Sequence, residues 1–328
     1  MNGKIDKAGL YKTVPTFGNY LKNKYGIKIA KIPVALSGFT CPNIDGTVAR
    51  GGCTFCLNES FSPNYHKNSK KFFLGLDSKD NPILNLQISQ LLEQIRKMKR
   101  ILGAKHGYKK FIVYFQAFTN TYAPLDTLKV LYETALNQND IIGLSIGTRS
   151  DSITYESMKY ISSLSKEHEI WIEYGVQSVF DNTLRTINRG HSVNSVESMI
   201  KKTKELGINV CAHLIFGLPG ENRDMMLHSA KTIYGWGIDS VKYHPLYVVE
   251  KTALANEYKS GKYAPISLES YIEILAEALM LKPERITVQR ISAGIDNGTI
   301  LAPDWCGYPK NKIIETIRRE LFKKGLII

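Results

Sequence analysis

Three cysteines, Cys41, Cys53 and Cys56, lie in one glycine-rich stretch, SGFTCPNIDGTVARGGCTFCLNES (37–60), spaced Cys-x11-Cys-x2-Cys. Two thiolates three positions apart can grip one metal centre, and the turn between must return the third. Asp45-Gly46 and Gly51-Gly52 supply residues that let a chain reverse tightly. A closed structural zinc site takes four ligands, so three thiolates leave one coordination position open. On a [4Fe–4S] cluster, three cysteines hold three irons and leave the fourth for a substrate or cofactor. Two other chemistries use the same residues. One is zinc held by the three cysteines and a histidine such as His66. The other is a redox Cys-x-x-Cys pair, which normally opens a helix in a thioredoxin-like unit that this context lacks. Cys211 lies in an apolar run and reads as core; Cys306, in APDWCGYPK, is a lone thiol with a fourth-ligand or hydrogen-donor role open to it.

The elements that must carry this loop show a repeating rhythm. Apolar runs read as buried strands at 31–38, 110–118, 141–148, 169–178, 208–221 and 239–249. Amphipathic stretches read as helices at 84–102, 124–138, 154–168, 195–206 and 222–235, with Leu125, Leu128, Leu131, Tyr132 and Leu136 along one face. Gly207 is placed to end its helix. Apolar strands alternating with helices indicate a parallel sheet of βα units. About six such units predict an α/β fold, a partial (β/α)6 TIM-like barrel. Functional residues belong on the loops after the strand C-termini, and the cysteine loop follows the first strand. The sequence divides into an N-terminal extension (1–30) with a leading helix at FGNYLKNKYG, a core barrel (31–250) and a C-terminal extension (251–328). That tail holds a helix, a short strand at 284–291 and a final basic helix, and both extensions are expected to pack on the barrel.

The 328 residues suffice for one large domain or two modest ones. No apolar run is long enough to span a membrane, and the first residues lack the apolar region of a signal peptide. A cytoplasmic location follows as the expectation, where thiols stay reduced; five cysteines would in any case leave one unpaired. The net charge of +13 points to a polyanionic partner. Its lysines and arginines fall in separate groups: Lys67, Lys70 and Lys71; Lys97, Lys99 and Arg100; Lys109 and Lys110; Lys201, Lys202 and Lys204; Arg318, Arg319, Lys323 and Lys324. Whether they share a face depends on the fold.

The motif CTFC, with an aromatic at its third place, one more cysteine upstream and βα repeats downstream, resembles the radical S-adenosylmethionine (SAM) superfamily. GFTCPNIDG, GGCTFCLNESFSP, YFQAFTNTYAP, EYGVQS, INRGH, LIFGLPGE, VKYHPLYVVEKTAL and APDW narrow the resemblance to its YhcC/YtqA-like family. That family is related to the elongator catalytic subunit and to oxygen-independent coproporphyrinogen dehydrogenase. The resemblance spans about residues 10 to 320.

It implies Cys41, Cys53 and Cys56 as ligands of a [4Fe–4S] cluster whose free iron binds SAM. One electron then cleaves the sulfonium to a 5′-deoxyadenosyl radical. Phe55 would lie near the adenine. Gln116, Thr119 and Asn120, in QAFTNTY, stand where the superfamily has Gly-Gly-Glu against the methionyl amino group. Gln177 and Arg189 match ribose and carboxylate contacts, and His213 stands where a relative carries an acidic ribose ligand. GLPGE (217–221) would end its strand beside the adenine. Arg149, Asp151, Tyr243 and His244 belong to the same barrel end or the substrate side without a derived role; His191 reads as loop packing. The implied substrate is tRNA, at the C5 side chain of a wobble uridine, with carboxymethylaminomethyl processed towards aminomethyl. Alternatives are a radical SAM enzyme acting on a small metabolite such as a porphyrinogen, and a non-catalytic RNA-binding iron–sulfur protein. A reductase, or a flavodoxin- or ferredoxin-type protein, would supply electrons. The chain is too short to hold the acetyltransferase domain of the elongator subunit.

Overall fold

Seven strands lie side by side in one parallel sheet, in the order Ile29–Val34, Lys110–Phe115, Ile141–Thr148, Glu169–Gln177, Asn209–Phe216, Ser240–Pro245 and Thr287–Arg290. The computed structural model describes residues 11–58, 72–292 and 298–328, so His66, Lys67, Lys70 and Lys71 lie outside the described residues. The strands in chain order are β1 (Lys12–Thr13), β2 (Ile29–Val34), β3 (Lys110–Phe115), β4 (Ile141–Thr148), β5 (Glu169–Gln177) and β6 (Asn209–Phe216). They continue with β7 (Ser240–Pro245), β8 (Val248–Val249), β9 (Thr287–Arg290), β10 (Ile300–Ala302) and β11 (Leu326–Ile327). The first six sheet strands are those expected, each followed by helix, and they curl into the α/β half-barrel that the repeat predicts. β9, from the tail, adds a seventh by pairing in parallel with β7. β7 ends at Pro245, four residues earlier than expected. Proline has no N–H for the ladder, and the chain resumes as β8, antiparallel to β10.

Side chains alternate across the sheet as the pleat requires. Phe111, Val113 and Phe115 of β3 enter the core against the helices, as do Ile170, Ile172 and Tyr174 of β5 and Val241 and Tyr243 of β7. The intervening residues face the concave side, and there the strands are not apolar throughout. Lys31, Ser145, Glu173, His213, Lys242 and Gln289 meet across it.

The helix Phe17–Tyr25 closes the N-terminal end of the barrel. Thr16 caps it, its Oγ1 accepting from Asn19 N at 3.2 Å. Phe17 and Leu21 pack with Ile29, Ile112, Trp171 and Cys211. Glu169, at the start of β5, holds that plug. Its carboxylate accepts from Lys24 Nζ (2.7 Å), Tyr25 OH (2.6 Å), Tyr20 OH (3.2 Å) and Trp171 Nε1 (2.8 Å). Burial alone would raise its pKa, but these donors lower it. Glu169→Gln is expected to destabilise the fold by about 2 kcal/mol, in line with hydrogen bonds to a buried charged group. The folded-state pKa is depressed, so the contribution is full above the ordinary carboxylate range and is lost as pH falls through the folded value. Thermal melts should therefore separate wild type from variant near neutral pH and converge in acid.

Candidate metal and cofactor site

Between β2 and the first cysteine the backbone is pinned by glutamines of the helix Leu84–His106. Gln94 accepts from Ala35 N (2.9 Å) and donates to Ala35 O (2.8 Å). Gln87 donates to Ser37 O (2.6 Å), and Gln90 accepts from Ser37 N (3.0 Å). Sequence reasoning missed them. The signal was there: residues 87, 90 and 94 share one helix face, and an amide pairs with buried backbone where an apolar residue cannot.

The loop folds back as its glycines require. Cys41 precedes a single turn, Pro42–Asp45, and its carbonyl accepts from Ile44 N (2.7 Å). Gly52 N then donates to Asn43 O (2.8 Å), which returns Cys53, and Cys56 N donates to Cys53 O (2.9 Å). The segment after β5 clamps this turn. Asn188 Nδ2 donates to Gly52 O (2.8 Å), and Thr54 N to Ile187 O (3.0 Å). Asn43, fully buried, donates both to Asn188 O and to Cys53 Sγ (3.5 Å). Gly190 (φ +79°) is required here, because a Cβ would come within 2.4 Å of Asn43 Oδ1.

Two arginines serve the thiols. Arg189 Nη1 donates to Cys53 Sγ (3.6 Å) and its Nη2 to Gly175 O (2.7 Å). Arg149 is held by Asp151 through paired bonds of 2.8 and 2.6 Å. Burial pushes the Cys56 thiol up to about 12, and repulsion from Cys53 and Cys41 adds to it. Metal coordination overcomes such a shift, since a coordinating thiol is deprotonated outright. Among the described residues, several buried polar atoms here have no hydrogen-bond partner: Arg149 Nη1, Arg189 Nε, both ring nitrogens of His191, Asn43 Oδ1 and Thr40 Oγ1. Buried polar atoms ordinarily have partners, so the site fits an additional polar group beside the cysteines. His191, expected only to pack, is thus among the atoms that face such a group.

The three loop thiols stand near enough for Cys53 and Cys41 both to act on Cys56. Among the described residues, Glu173, Cys211 and His213 also bring three ligand-type atoms within 4.8 Å of each other. The Glu173 group is no cation site, because Lys31 and Lys242 already bind that carboxylate.

The remaining expected residues fall around this centre in different ways. Gln177 (φ +70°) and Arg189 both converge on Gly175, where a Cβ would lie 2.7 Å from Gln177 Nε2 and from Arg189 Nη2. Gln116 follows β3 and is half-buried, its N–H on Val34 O (3.1 Å). Ala117 and Phe118 after it have positive φ (64° and 59°), the kind of strain that clusters at functional sites. Thr119 N bonds Thr40 O (3.1 Å), beside Cys41. Asn120 Nδ2 is used within the fold, on Ala117 O (3.0 Å) and Gly147 O (3.2 Å). Phe55 packs against the apolar cluster of Ile187, Ile215, Leu218 and Leu254, which contains the GLPGE turn. His213 lies deeper in the barrel, Nε2 2.7 Å from Glu173 Oε2. Burial, with Lys242 adding, lowers its pKa to about 4, so the ring is neutral and donates to Glu173. Tyr243 faces the helices, bonded to Tyr234, while its neighbour His244 faces the lumen beside His213. Cys306 is buried with Tyr247 and Val249 against Leu57.

The basic groups at 97–100 and 201–204 lie in the C-terminal halves of their helices and that at 109–110 at the start of β3, hence towards the N-terminal end of the barrel, away from the cysteines. Lys99 and Lys110 share Asp140 there, and Lys204 pairs with Asp239. No helix among the described residues is long and apolar enough to cross a membrane.

A family model of the radical SAM superfamily matches residues 45–233, and one of the radical SAM C-terminal domain matches 238–323. The chain is 32% identical over 324 residues to the YtqA protein of Bacillus subtilis, covering 99% of this chain and 94% of that one. It is 33% identical over 298 residues to protein YhcC of Escherichia coli, covering 90% and 89%. A tRNA uridine(34) acetyltransferase of Methanocaldococcus infernus is 31% identical over 205 residues, covering 62% of this chain and 37% of its own length. The solved structure of archaeal Elp3 from the same organism, with an N-terminal deletion, superposes with a TM-score of 0.64 at 20% identity, covering 90% of this chain and 63% of that one.

Replacing Cys41, Cys53 or Cys56 by Ala should abolish the broad visible absorbance of the anaerobically reconstituted protein, whereas Cys211→Ala and Cys306→Ser should retain it. Asn43→Ala, which removes a donor to Cys53 and a clamp on the loop, should lower iron bound per chain by about half or more, a loss of about 1–3 kcal/mol in the loop being ample.

Proposed function

The chain belongs to the radical SAM superfamily, and from that premise we propose that it holds a [4Fe–4S] cluster on Cys41, Cys53 and Cys56 and modifies the C5 side chain of a wobble uridine in tRNA. The superfamily is one of enzymes that use a [4Fe–4S] cluster and SAM. Held by Cys41, Cys53 and Cys56, a [4Fe–4S] cluster would supply the electron for reductive cleavage of SAM to methionine and a 5′-deoxyadenosyl radical.

The observation that carries the reading is the convergence of three loop thiols on one turn, with Arg189 donating to Cys53 and buried polar atoms beside them that have no hydrogen-bond partner among the described residues. The chain's own groups complete it. Arg189 donates to Cys53 and stabilises a negatively charged centre, a charge-assisted bond in a buried setting. Arg149, fixed by Asp151, presents its unused Nη1 to the same space. Gln177, Thr119 and His191 line the rim where SAM would lie, with Phe55 and the GLPGE turn on the adenine side. Asn120 serves by shaping the strained 116–120 turn. The barrel floor, closed by the Phe17–Tyr25 helix, keeps water from a reactive radical.

The tRNA substrate rests on likeness to tRNA uridine(34) acetyltransferases and on the +13 charge, which suits a phosphate backbone. The match spans 37% of that relative, so acetyl transfer is not carried over. Side-chain processing from carboxymethylaminomethyl towards aminomethyl is the proposed outcome: loss of one hydrogen atom to the deoxyadenosyl radical and of one electron back to the cluster would leave an imine, and water would release glyoxylate and the aminomethyl group, with a reductase or a flavodoxin- or ferredoxin-type electron donor. A second reading, a small-metabolite substrate, is favoured by the position of three basic groups at the barrel end remote from the cysteines.

The test is anaerobic reconstitution, reduction with SAM, and measurement of 5′-deoxyadenosine with and without tRNA from a strain rich in carboxymethylaminomethyl uridine. Deoxyadenosine that rises with tRNA, alongside a changed wobble nucleoside, is the expected result. Cleavage indifferent to tRNA moves the substrate to the metabolite reading. A cluster-loaded protein that cleaves no SAM would refute the assignment of the three cysteines.

A further inference from the structure

The lumen above the plug holds more positive charge than it neutralises. Glu173 is its fully buried carboxylate, bonded by Lys31 Nζ (2.6 Å), by Lys242 Nζ, by Ser145 Oγ and by His213. Burial alone would raise its pKa, but Lys242 and Lys31 hold it well below the usual range. One carboxylate therefore faces two lysines. A third cation stands beside them. β9 slips its register against β7 between Val241 and Lys242, so that Lys242 pairs with Arg290. Bulges of this kind re-aim side chains next to active sites. Val288 goes to the core, Gln289 turns inward to Lys31 (2.6 Å), and Arg290 follows. Its charge acts on Tyr114, His213, Lys242 and His244, which places it among the lumen groups. Among the described residues no hydrogen bond or ion pair engages the Arg290 guanidinium or the His244 ring, although both are half-buried. An arginine is normally paired when it leaves water.

We propose that Arg290, with His244 beside it, is a specificity-determining receptor for an anionic group of the substrate, a carboxylate entering the lumen from the cysteine end. A guanidinium fork matches a carboxylate with two parallel bonds, and the half-buried setting rewards that pairing over any neutral substituent. The register places the receptor correctly. His213 and Lys242 pair directly across β6 and β7, and Gly175, which carries the bond from Arg189, pairs with His213. The anion site thus lies at the same level of the sheet as the backbone that supports the cysteine centre, three strands along. The inference rests on the tRNA reading only for the source of the anion, the terminal carboxylate of the carboxymethylaminomethyl side chain.

The experiment compares tRNA bearing that side chain with the same tRNA bearing its methyl ester, using the cluster-loaded enzyme. Wild type should prefer the free acid by about 10- to 100-fold in kcat/KM, the scale of a charge-assisted bond pair. Arg290→Met should erase the preference, and Arg290→Lys should restore part of it. A preference that survives in Arg290→Met overturns the proposal. So does a variant whose defect is a raised KM for SAM with the preference intact, since the guanidinium would then hold the carboxylate of SAM. If wild type leaves both tRNAs unchanged, the tRNA reading fails, and an arm that needs no turnover decides the inference. Phenylglyoxal labelling of Arg290 in the holoenzyme is read by peptide mass with and without iminodiacetate. Protection of Arg290 supports an anion receptor serving a small carboxylate substrate, and equal labelling overturns it.

Discussion

One buried carboxylate ties the barrel together. Glu173 on β5 receives Lys31 from β2, Ser145 from β4, His213 from β6 and Lys242 from β7, and Lys31 continues to Gln289 on β9. A half-barrel with an open seam has no closing ladder to fix its curvature. Polar contacts that reach across the hollow do that work, and an ion left unpaired there is strongly destabilising. The knot also divides the lumen. Below it, Phe17, Trp171 and Cys211 make a dry floor sealed by Glu169. Above it, the strand ends open onto the cysteine loop.

The cysteine centre illustrates how little of a cofactor site belongs to its ligands. The three thiols are oriented by groups from two other places in the chain, glutamines of the first long helix and the 187–191 segment after β5, and by Asn43 within the loop itself. Positive φ at Ala117, Phe118, Gln177 and Asn188 concentrates around the same end of the barrel. Such conformations persist where the surroundings over-determine them, and here the surroundings are parallel strands that all terminate on one rim.

The electrostatics split in a way composition does not reveal. The excess positive charge that suits a nucleic acid is concentrated, over three of its groups, at the floor end of the barrel, whereas the cysteines occupy the rim. A long-range field still steers a polyanion, but close contact with a substrate falls to the rim and the lumen. There the charges are few, half-buried and specifically aimed, which favours reading one functional group over gripping a backbone.

The sequence by itself determined the βα rhythm, the helix faces and the three cysteines with their turn-forming glycines, because these depend on local periodicity and spacing. The family resemblance singled out Gln177 and Arg189, and the fold brings both to Gly175. Tertiary structure decided what spacing cannot encode. Strands that read as buried throughout, such as EIWIEYGVQ, carry their charge on one face only, and whether Glu173 meets two lysines depends on neighbours more than sixty residues away. Tyr243 and His244 are adjacent in sequence and belong to opposite faces of the sheet, because the pleat has a period of two. The tail strand reads as an appendage, yet a parallel pairing with β7 and a one-residue slip turn it into the seventh wall of the lumen and bring Arg290 inside. Register is a property of pairing between distant segments, so it appears only when the chain is folded.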